Sequence, residues 1–203
     1  LKSNFKLDAI YDENLIEIDN FIFRNKELSF DSNGFLELKP YFKINIKSII
    51  KDFNVNLIKN LDIEYFLNYK DYIKRLNSEN KIIFKSQRFN RSLIDSIDIE
   101  TRLVYGRLNI SKIFFISNSK FICHGELNLL KEFPIYFFDC SINSPDKKKL
   151  LKKIKVNNDF KDKKLNLNLK GNLNILKKKI NFDHIEIDNE YKVTKKDLNN
   201  YKM

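Results

Sequence analysis

The chain has 203 residues, of which 42% are hydrophobic, and its 38 Lys plus Arg exceed its 27 Asp plus Glu to give a formal net charge of +11. This hydrophobic content excludes a disordered chain, whereas 4 Gly, 3 Pro and 2 Cys exclude collagen-like and disulfide-rich folds. The positive charge favours anionic partners such as nucleic acid or phospholipid surfaces. Frequent Lys, Asn, Ile and Phe beside a single alanine, Ala9, indicate that codon bias supplies part of this charge.

Apolar and polar residues alternate with a period of two along most of the chain, which is typical of strands with one apolar face. Alternation begins in the first eight residues. Further strands are predicted at residues 15–19, 21–23, 28–32, 35–39, 41–46, 55–57, 61–65, 81–84, 97–99, 103–105, 107–110, 165–175, 180–182 and 185–188. A turn is predicted at residues 177–179.

Helical signals are few and lie between groups of strands. Residues 145–155 are predicted to form a helix capped by Ser144, with Pro145 at its first position. Apolar residues spaced for one helix face predict two further short helices, at residues 47–53 and 69–76.

The order of these elements predicts an internal repeat. One set of positions, Ile18, Phe21, Phe23, Phe30, Gly34, Leu36, Leu38, Pro40 and Ile44, aligns with a second set, Ile110, Ile113, Phe115, Phe121, Gly125, Leu127, Leu129, Pro134 and Phe137. A third copy begins at Leu165 and contains Gly171. We therefore predict a mainly β chain, a repeated antiparallel meander forming a curved sheet or groove with a few short amphipathic helices. It forms one repeat-built region with approximate units 5–60, 61–156 and 160–203.

The apolar side of such a sheet must be covered, either by packing on itself as a core or by an apolar ligand in a groove, and the sequence leaves both outcomes open. The candidate groove residues are the apolar positions of the clearest alternating segments. They are Ile16, Ile18, Phe21, Phe23, Leu36, Leu38, Leu127, Leu129, Leu165, Leu167, Leu169, Leu173, Ile175, Ile180 and Phe182.

Residues able to support catalysis or metal binding are scarce. The adjacent Cys123 and His124 would point to opposite faces of a strand, and no CxxC or HxxxH spacing occurs, so we expect no metal site and no cofactor. No phosphate-binding glycine motif or paired acid and base is recognisable, and we expect no enzyme. If residues 121–129 and 135–142 form a hairpin, Cys123 and Cys140 lie nearly opposite one another and could form a disulfide.

Three segments, LVYGRLNI (103–110), GELNL (125–129) and LKGNLNI (169–175), together with the order of the units, resemble the AsmA-like superfamily of Gram-negative envelope proteins, which includes the AsmA, TamB and YhdP groups. The resemblance covers about residues 5–191 and is greatest to the C-terminal AsmA-like region. It implies a periplasmic β-groove that binds phospholipid or another apolar lipid between the inner and outer membranes, in lipid transport or outer-membrane maintenance. It also implies an inner-membrane anchor, which we expect in a part of the protein outside this chain, because the chain begins at Leu1 rather than Met.

Nucleic-acid binding is the alternative function. Lysines concentrate in residues 147–155 and 177–179, and Phe and Tyr are abundant enough to stack on bases. Acidic residues share the same strands, however, and no RNA-binding signature is present, so nucleic acid is not the expected partner. A structural sheet without a ligand is a third alternative.

Overall fold

The computed structural model describes residues 3–54, 67–85, 93–156, 164–188, 191–194 and 197. These residues form one twelve-stranded sheet with two short helices. The strands are β1 (Asn4–Asp12), β2 (Leu15–Arg24), β3 (Leu28–Glu37), β4 (Lys43–Phe53), β5 (Asn77–Lys85), β6 (Ser96–Val104), β7 (Arg107–Ile116), β8 (Ser119–Asn128), β9 (Ile135–Ser144), β10 (Leu165–Asn174), β11 (Lys179–Ile187) and β12 (Tyr191–Lys192), and the helices are α1 (Lys70–Arg75) and α2 (Lys147–Lys153).

Each strand pairs with the next one along the chain, so the spatial order of the strands is their sequence order. All pairs are antiparallel except β4 and β5, which run parallel. A parallel pair requires a crossover connection, and α1 lies in that crossover. The sheet is open, with β1 and β12 at its two edges. This meander confirms the predicted mainly β fold class.

Short hairpins keep the central strands in register. The turn between β6 and β7 has positive φ at both Tyr105 and Gly106, 47° and 71°, and the turn between β7 and β8 has positive φ at Ser117 and Asn118, 50° and 66°. Positive φ at both central residues gives a hairpin turn whose twist matches that of the flanking strands. The chain therefore reverses tightly on both sides of β7.

The predicted helix at residues 47–53 is wrong, because these residues form the second half of β4. A β-bulge explains the misleading spacing: Ile50 pairs with Phe30 and Asp52 pairs with Ser29, so Lys51 is an extra residue. The extra residue reverses the alternation. Ile50 and Phe53 consequently lie on the same side of the sheet although three positions separate them.

The other two helices exist with corrected limits. The helix predicted at residues 69–76 is confirmed as α1, whereas the one predicted at residues 145–155 is the shorter α2. The cap of α2 is Asp146, whose carboxylate accepts a hydrogen bond from the Lys149 backbone N–H. The prediction of Ser144 as the cap is wrong, since Ser144 is buried at the end of β9 and accepts a hydrogen bond from the Ser119 hydroxyl.

The aligned repeat corresponds to the hairpins β2–β3 and β7–β8, but the correspondence fails on two strands. On β9, Phe137 pairs with Glu126 on the face opposite to Leu127, whereas its counterpart Ile44 pairs with Leu36 and shares the face of Leu36. A bulge in β2 shifts the register between Ile18 and Phe21, which keeps both on one face. Strand β7 has no such shift, so Ile113 and Phe115 lie on the face opposite to Ile110. The strands predicted at residues 55–57 and 61–65, and the limits between the predicted units, lie at or within gaps outside the described residues.

Two hydrophobic clusters lie at opposite ends of the strands. At one end, Ile73 of α1 packs with Leu103, Leu127 and Leu129. At the other end, Leu150 of α2 packs with Ile116 and Leu165, and Phe114, Phe121 and Ile142 pack around them. Both helices thus cover the same side of the sheet, each at one end of its strands.

Candidate functional site on the apolar face

The strand register arranges the side chains of one face in rows that cross the sheet, because directly paired residues point to the same side. Four such rows form what we call the apolar face. The first row is Tyr11, Ile16, Leu36, Ile44, Ser78, Leu103, Leu108, Leu127, Tyr136, Leu173 and Ile180, and the second is Ala9, Ile18, Gly34, Ile46, Asn80, Thr101, Ile110, Gly125, Phe138, Gly171 and Phe182. The third is Leu7, Phe21, Ser32, Ser48, Ile82, Ile99, Lys112, Cys123, Cys140, Leu169 and Ile185, and the fourth is Phe5, Phe23, Phe30, Ile50, Phe84, Ile97, Phe114, Phe121, Ile142, Leu167 and Ile187.

The structure brings the predicted groove residues onto this face. Eleven of the fifteen lie in the rows: Ile16, Leu36, Leu127, Leu173 and Ile180 in the first, Ile18 and Phe182 in the second, Phe21 and Leu169 in the third, and Phe23 and Leu167 in the fourth. Leu38, Leu129 and Ile175 follow the first row by two residues and lie just past the ends of β3, β8 and β10, and Leu165 precedes the fourth row by two residues on β10. Leu127, Leu129 and Leu165 are buried in the two clusters and serve packing.

The middle of the face belongs to strands β5 to β9, on which the candidate set contains only Leu127 of β8. We call this region the central trough and define it by the residues of β5 to β9 in the second and third rows. They are Asn80, Ile82, Ile99, Thr101, Ile110, Lys112, Cys123, Gly125, Phe138 and Cys140. Neither hydrophobic cluster includes any of them, and all but the buried Cys123 are half-buried. The alternation of residues 97–99 and 107–110 predicted β6 and β7 as strands. Polar residues such as Thr101 and Lys112 interrupt the apolar pattern of these strands, so the candidate set did not include them.

Three glycines lie in the second row, and each accommodates a close neighbour. A Cβ on Gly125 would meet the Tyr136 ring, and one on Gly171 would meet the Asn181 carbonyl oxygen and the Phe138 ring. Tyr136 therefore lies against the Gly125 backbone, and burial raises the pKa of its phenol. Its hydroxyl oxygen is buried without a hydrogen-bond partner in the described part of the chain.

Lys112 is the only charged side chain in the four rows. It lies between Ile99 and Cys123 across the sheet, and its same-face neighbours along β7 are Ile110 and Phe114. Burial lowers the pKa of its ammonium group below the ordinary value of 10.5. Lys112 is half-buried, and the structure records no hydrogen bond or ion pair between it and any residue that it describes.

A disulfide joins Cys123 to Cys140 within the third row. The two residues face one another on β8 and β9, and their Cα atoms are 4.1 Å apart. This separation is that of a non-hydrogen-bonded antiparallel pair. The bond lies beside Lys112 and closes the hairpin predicted at residues 121–142.

The opposite side of the sheet carries the alternating polar residues together with one row in which Ile22, Ile49, Ile83, Ile113 and Ile122 accompany Asp31 and Asp98. Ion pairs connect neighbouring strands on this side. Lys81 contacts Glu100 at 2.7 Å, Arg102 contacts Glu79 at 3.3 Å, and Lys170 contacts Asp139 at 2.8 Å. A shallow depression of about 620 Å³ lies between two of these polar rows, and His124 is in its lining. Because these charged side chains pair with one another, few of them are available to bind a charged ligand.

The described residues contain no group of three or more His, Cys, Asp or Glu side chains that could hold a metal ion. Cys123 and His124 lie in rows on opposite faces, because adjacent strand residues alternate. His184 is instead 3.6 Å from Glu186 on its own strand. Within the same residues, no helix combines the length and the apolar character needed to cross a membrane.

Comparison of the chain with protein-family models, with curated proteins and with solved structures found no match.

Proposed function

We propose that this chain is a non-catalytic, lipid-binding segment of a bacterial envelope protein of the AsmA-like type, and that its apolar face holds an acyl chain. The observation that carries the proposal is the central trough. Apart from the buried Cys123, its residues are half-buried although the two helices cover both ends of the same face, which leaves a largely apolar surface between two packed clusters in the part of the chain that the structure describes.

The dimensions and chemistry of the trough suit an acyl chain. Five adjacent strands contribute to it, and at a spacing of about 4.8 Å the trough extends roughly 19 Å across the sheet. Each methylene buried there contributes about 0.8 kcal/mol, so a long chain binds without any specific polar contact. Ile82, Ile99, Ile110 and Phe138 supply the apolar contacts, and such a ligand needs no shaped pocket.

The disulfide supports an extracytoplasmic location. Disulfides persist in oxidising compartments such as the bacterial periplasm and are rare in the reducing cytosol. The pair Cys123–Cys140 therefore agrees with function in the envelope, between the inner and outer membranes, in phospholipid transport or outer-membrane maintenance.

Lipid extraction with mass spectrometry tests the proposal on purified protein. Two neighbouring substitutions on β5 provide a matched pair: Ile82 lies in the central trough opposite Ile99, whereas Ile83 lies on the opposite face beside Asp98. We expect co-purifying lipid in the wild type and in Ile83→Glu, and its loss in Ile82→Glu, because a carboxylate in the trough opposes burial of an acyl chain.

Two results would overturn the proposal. One is a wild-type protein that carries no lipid and takes up none from vesicles. The other is equal lipid binding by Ile82→Glu and the wild type when circular dichroism shows both to be folded. Salt-sensitive binding of an oligonucleotide by a lipid-free protein would instead establish the alternative, a nucleic-acid-binding sheet.

A further inference from the structure

The position of Lys112 carries an inference about the lipid head group, which rests on the proposed function. A lysine on a mostly apolar face has few ways to satisfy its ammonium group. Its neighbours across the sheet and along β7 are Ile99, Cys123, Ile110 and Phe114, all of which are neutral. No carboxylate shares the four rows, so the described sheet offers the ammonium group no counter-ion on this face.

We propose that the central trough selects an anionic phospholipid, whose head-group phosphate pairs with the Lys112 ammonium group while an acyl chain lies along the second and third rows. A head group with a net negative charge neutralises the Lys112 ammonium group. A zwitterionic head group supplies a phosphate but brings a second cation into the same neutral surroundings, which opposes the pairing. Pairing in a half-buried apolar site is also stronger than at an exposed lysine, because less water screens it.

The lowered pKa of Lys112 is consistent with this role. Burial without a partner disfavours the charged form of the side chain, and a bound anion would reverse that effect. Free protein thus holds a cation whose surroundings improve when an anionic ligand binds.

A competition between two lipids tests the proposal. The full chain is incubated with vesicles of equimolar phosphatidylglycerol and phosphatidylcholine with identical acyl chains, separated from them by gel filtration, and extracted for mass spectrometry. We expect roughly tenfold enrichment of phosphatidylglycerol on the wild type, the size expected for one charge-assisted hydrogen bond. Lys112→Met should bind the two lipids in a ratio near one, and Lys112→Arg, which keeps the charge, should retain the enrichment.

Lys120→Met is the matched control, because it removes one lysine charge from the neighbouring strand. Lys120 is exposed and lies in a polar row, opposite Phe115 and Asn143. Retained enrichment in this variant supports a specific role of Lys112, whereas equal loss in both variants would assign the preference to net charge and overturn the inference.

The remaining outcomes separate this inference from the proposed function. Wild-type protein that binds both lipids equally overturns the head-group selection and leaves acyl-chain binding intact. Protein that binds neither lipid overturns both. Undiminished enrichment in folded Lys112→Met also overturns the selection, and thermal melting of each variant establishes that it is folded.

Discussion

Lys112 is the one charged residue in the four rows of the apolar face. Its directly paired neighbours are Ile99 and Cys123, and its same-face neighbours along β7 are Ile110 and Phe114. These side chains are uncharged, and their burial on an apolar surface carries no charge desolvation penalty. A half-buried ammonium group without a partner opposes folding instead. Such a residue is expected where stability is subordinate to function.

Removal of the Lys112 charge should therefore stabilise the lipid-free protein. Burial in the folded state disfavours the charged form of the ammonium group and lowers its pKa, whereas the unfolded state bears no such desolvation penalty. Lys112→Met should raise the free energy of unfolding by roughly 1 kcal/mol, a shift of a few degrees in the melting temperature, measured by circular dichroism.

The pH dependence has a defined sign. Because burial lowers the folded-state pKa below the ordinary 10.5, the unfolded state binds more protons in the interval between these two values. The stability contribution of Lys112 in the wild type consequently rises with pH across that interval, and the advantage of Lys112→Met should shrink there. Lys120→Met, a substitution at an exposed position, should leave the free energy of unfolding nearly unchanged, and a destabilised Lys112→Met would contradict the account.

The strands could be predicted from the sequence more completely than the helices. Alternation needs only one apolar face, and it located β10 from residues 165–175 and β11 from the two segments 180–182 and 185–188. Helix spacing is more ambiguous, because a bulge such as that at Lys51 also places apolar residues three positions apart on one face. The cap of α2 was likewise ambiguous, since both Ser144 and Asp146 are good capping residues and only the packing of Ser144 against Ser119 distinguishes them.

The hairpin of β8 and β9 gives a prediction at the level of elements. Its disulfide joins residues separated by 17 positions, and closing a loop of that size stabilises a protein by about 3 kcal/mol, mainly through the unfolded state. We expect no free thiol in the native protein on titration, and a lower urea midpoint for the wild type after reduction.

A double substitution, Cys123→Ala with Cys140→Ala, supplies the control. Its urea midpoint should lie below that of the oxidised wild type and should not respond to reductant. Two titratable thiols in the unreduced native protein would show that the bond does not form.

At the scale of the whole molecule, the chain is a repeat-like meander in which each strand pairs with its neighbours in sequence. The meander was predictable because short turns and alternation are local features. The central trough was not, because the candidate set depended on cleanly alternating segments, whereas Asn80, Thr101 and Lys112 interrupt the apolar pattern of the middle strands. The crossover between β4 and β5 also escaped prediction, since parallel pairing depends on contacts between residues distant in sequence.

Repeat-like sheets do not distribute their stability evenly, because each strand depends on its immediate neighbours. The two clusters anchor β6, β7, β8 and β10, where Leu103, Ile116, Leu127 and Leu165 are buried. The edge strand β1 is almost entirely exposed, and Phe5 remains 75% exposed. Backbone amides of β6 to β8 should consequently exchange hydrogen most slowly, and those of β1 most rapidly.

Hydrogen exchange followed by mass spectrometry of peptides measures this gradient, and Leu127→Ala tests its cause. Truncation of a buried leucine costs about 2–5 kcal/mol, which corresponds to at least about a thirtyfold increase in exchange where opening depends on that cluster. The increase should be confined to β6 to β9 and the neighbouring α1, with β1 to β3 unchanged. Two results would contradict this gradient: equal protection of every strand in the wild type, or an equal increase in exchange in all strands of Leu127→Ala. Either would mean that the twelve strands unfold as one cooperative unit, because only then would the loss of a contact at one end of β8 increase exchange in the distant strand β1.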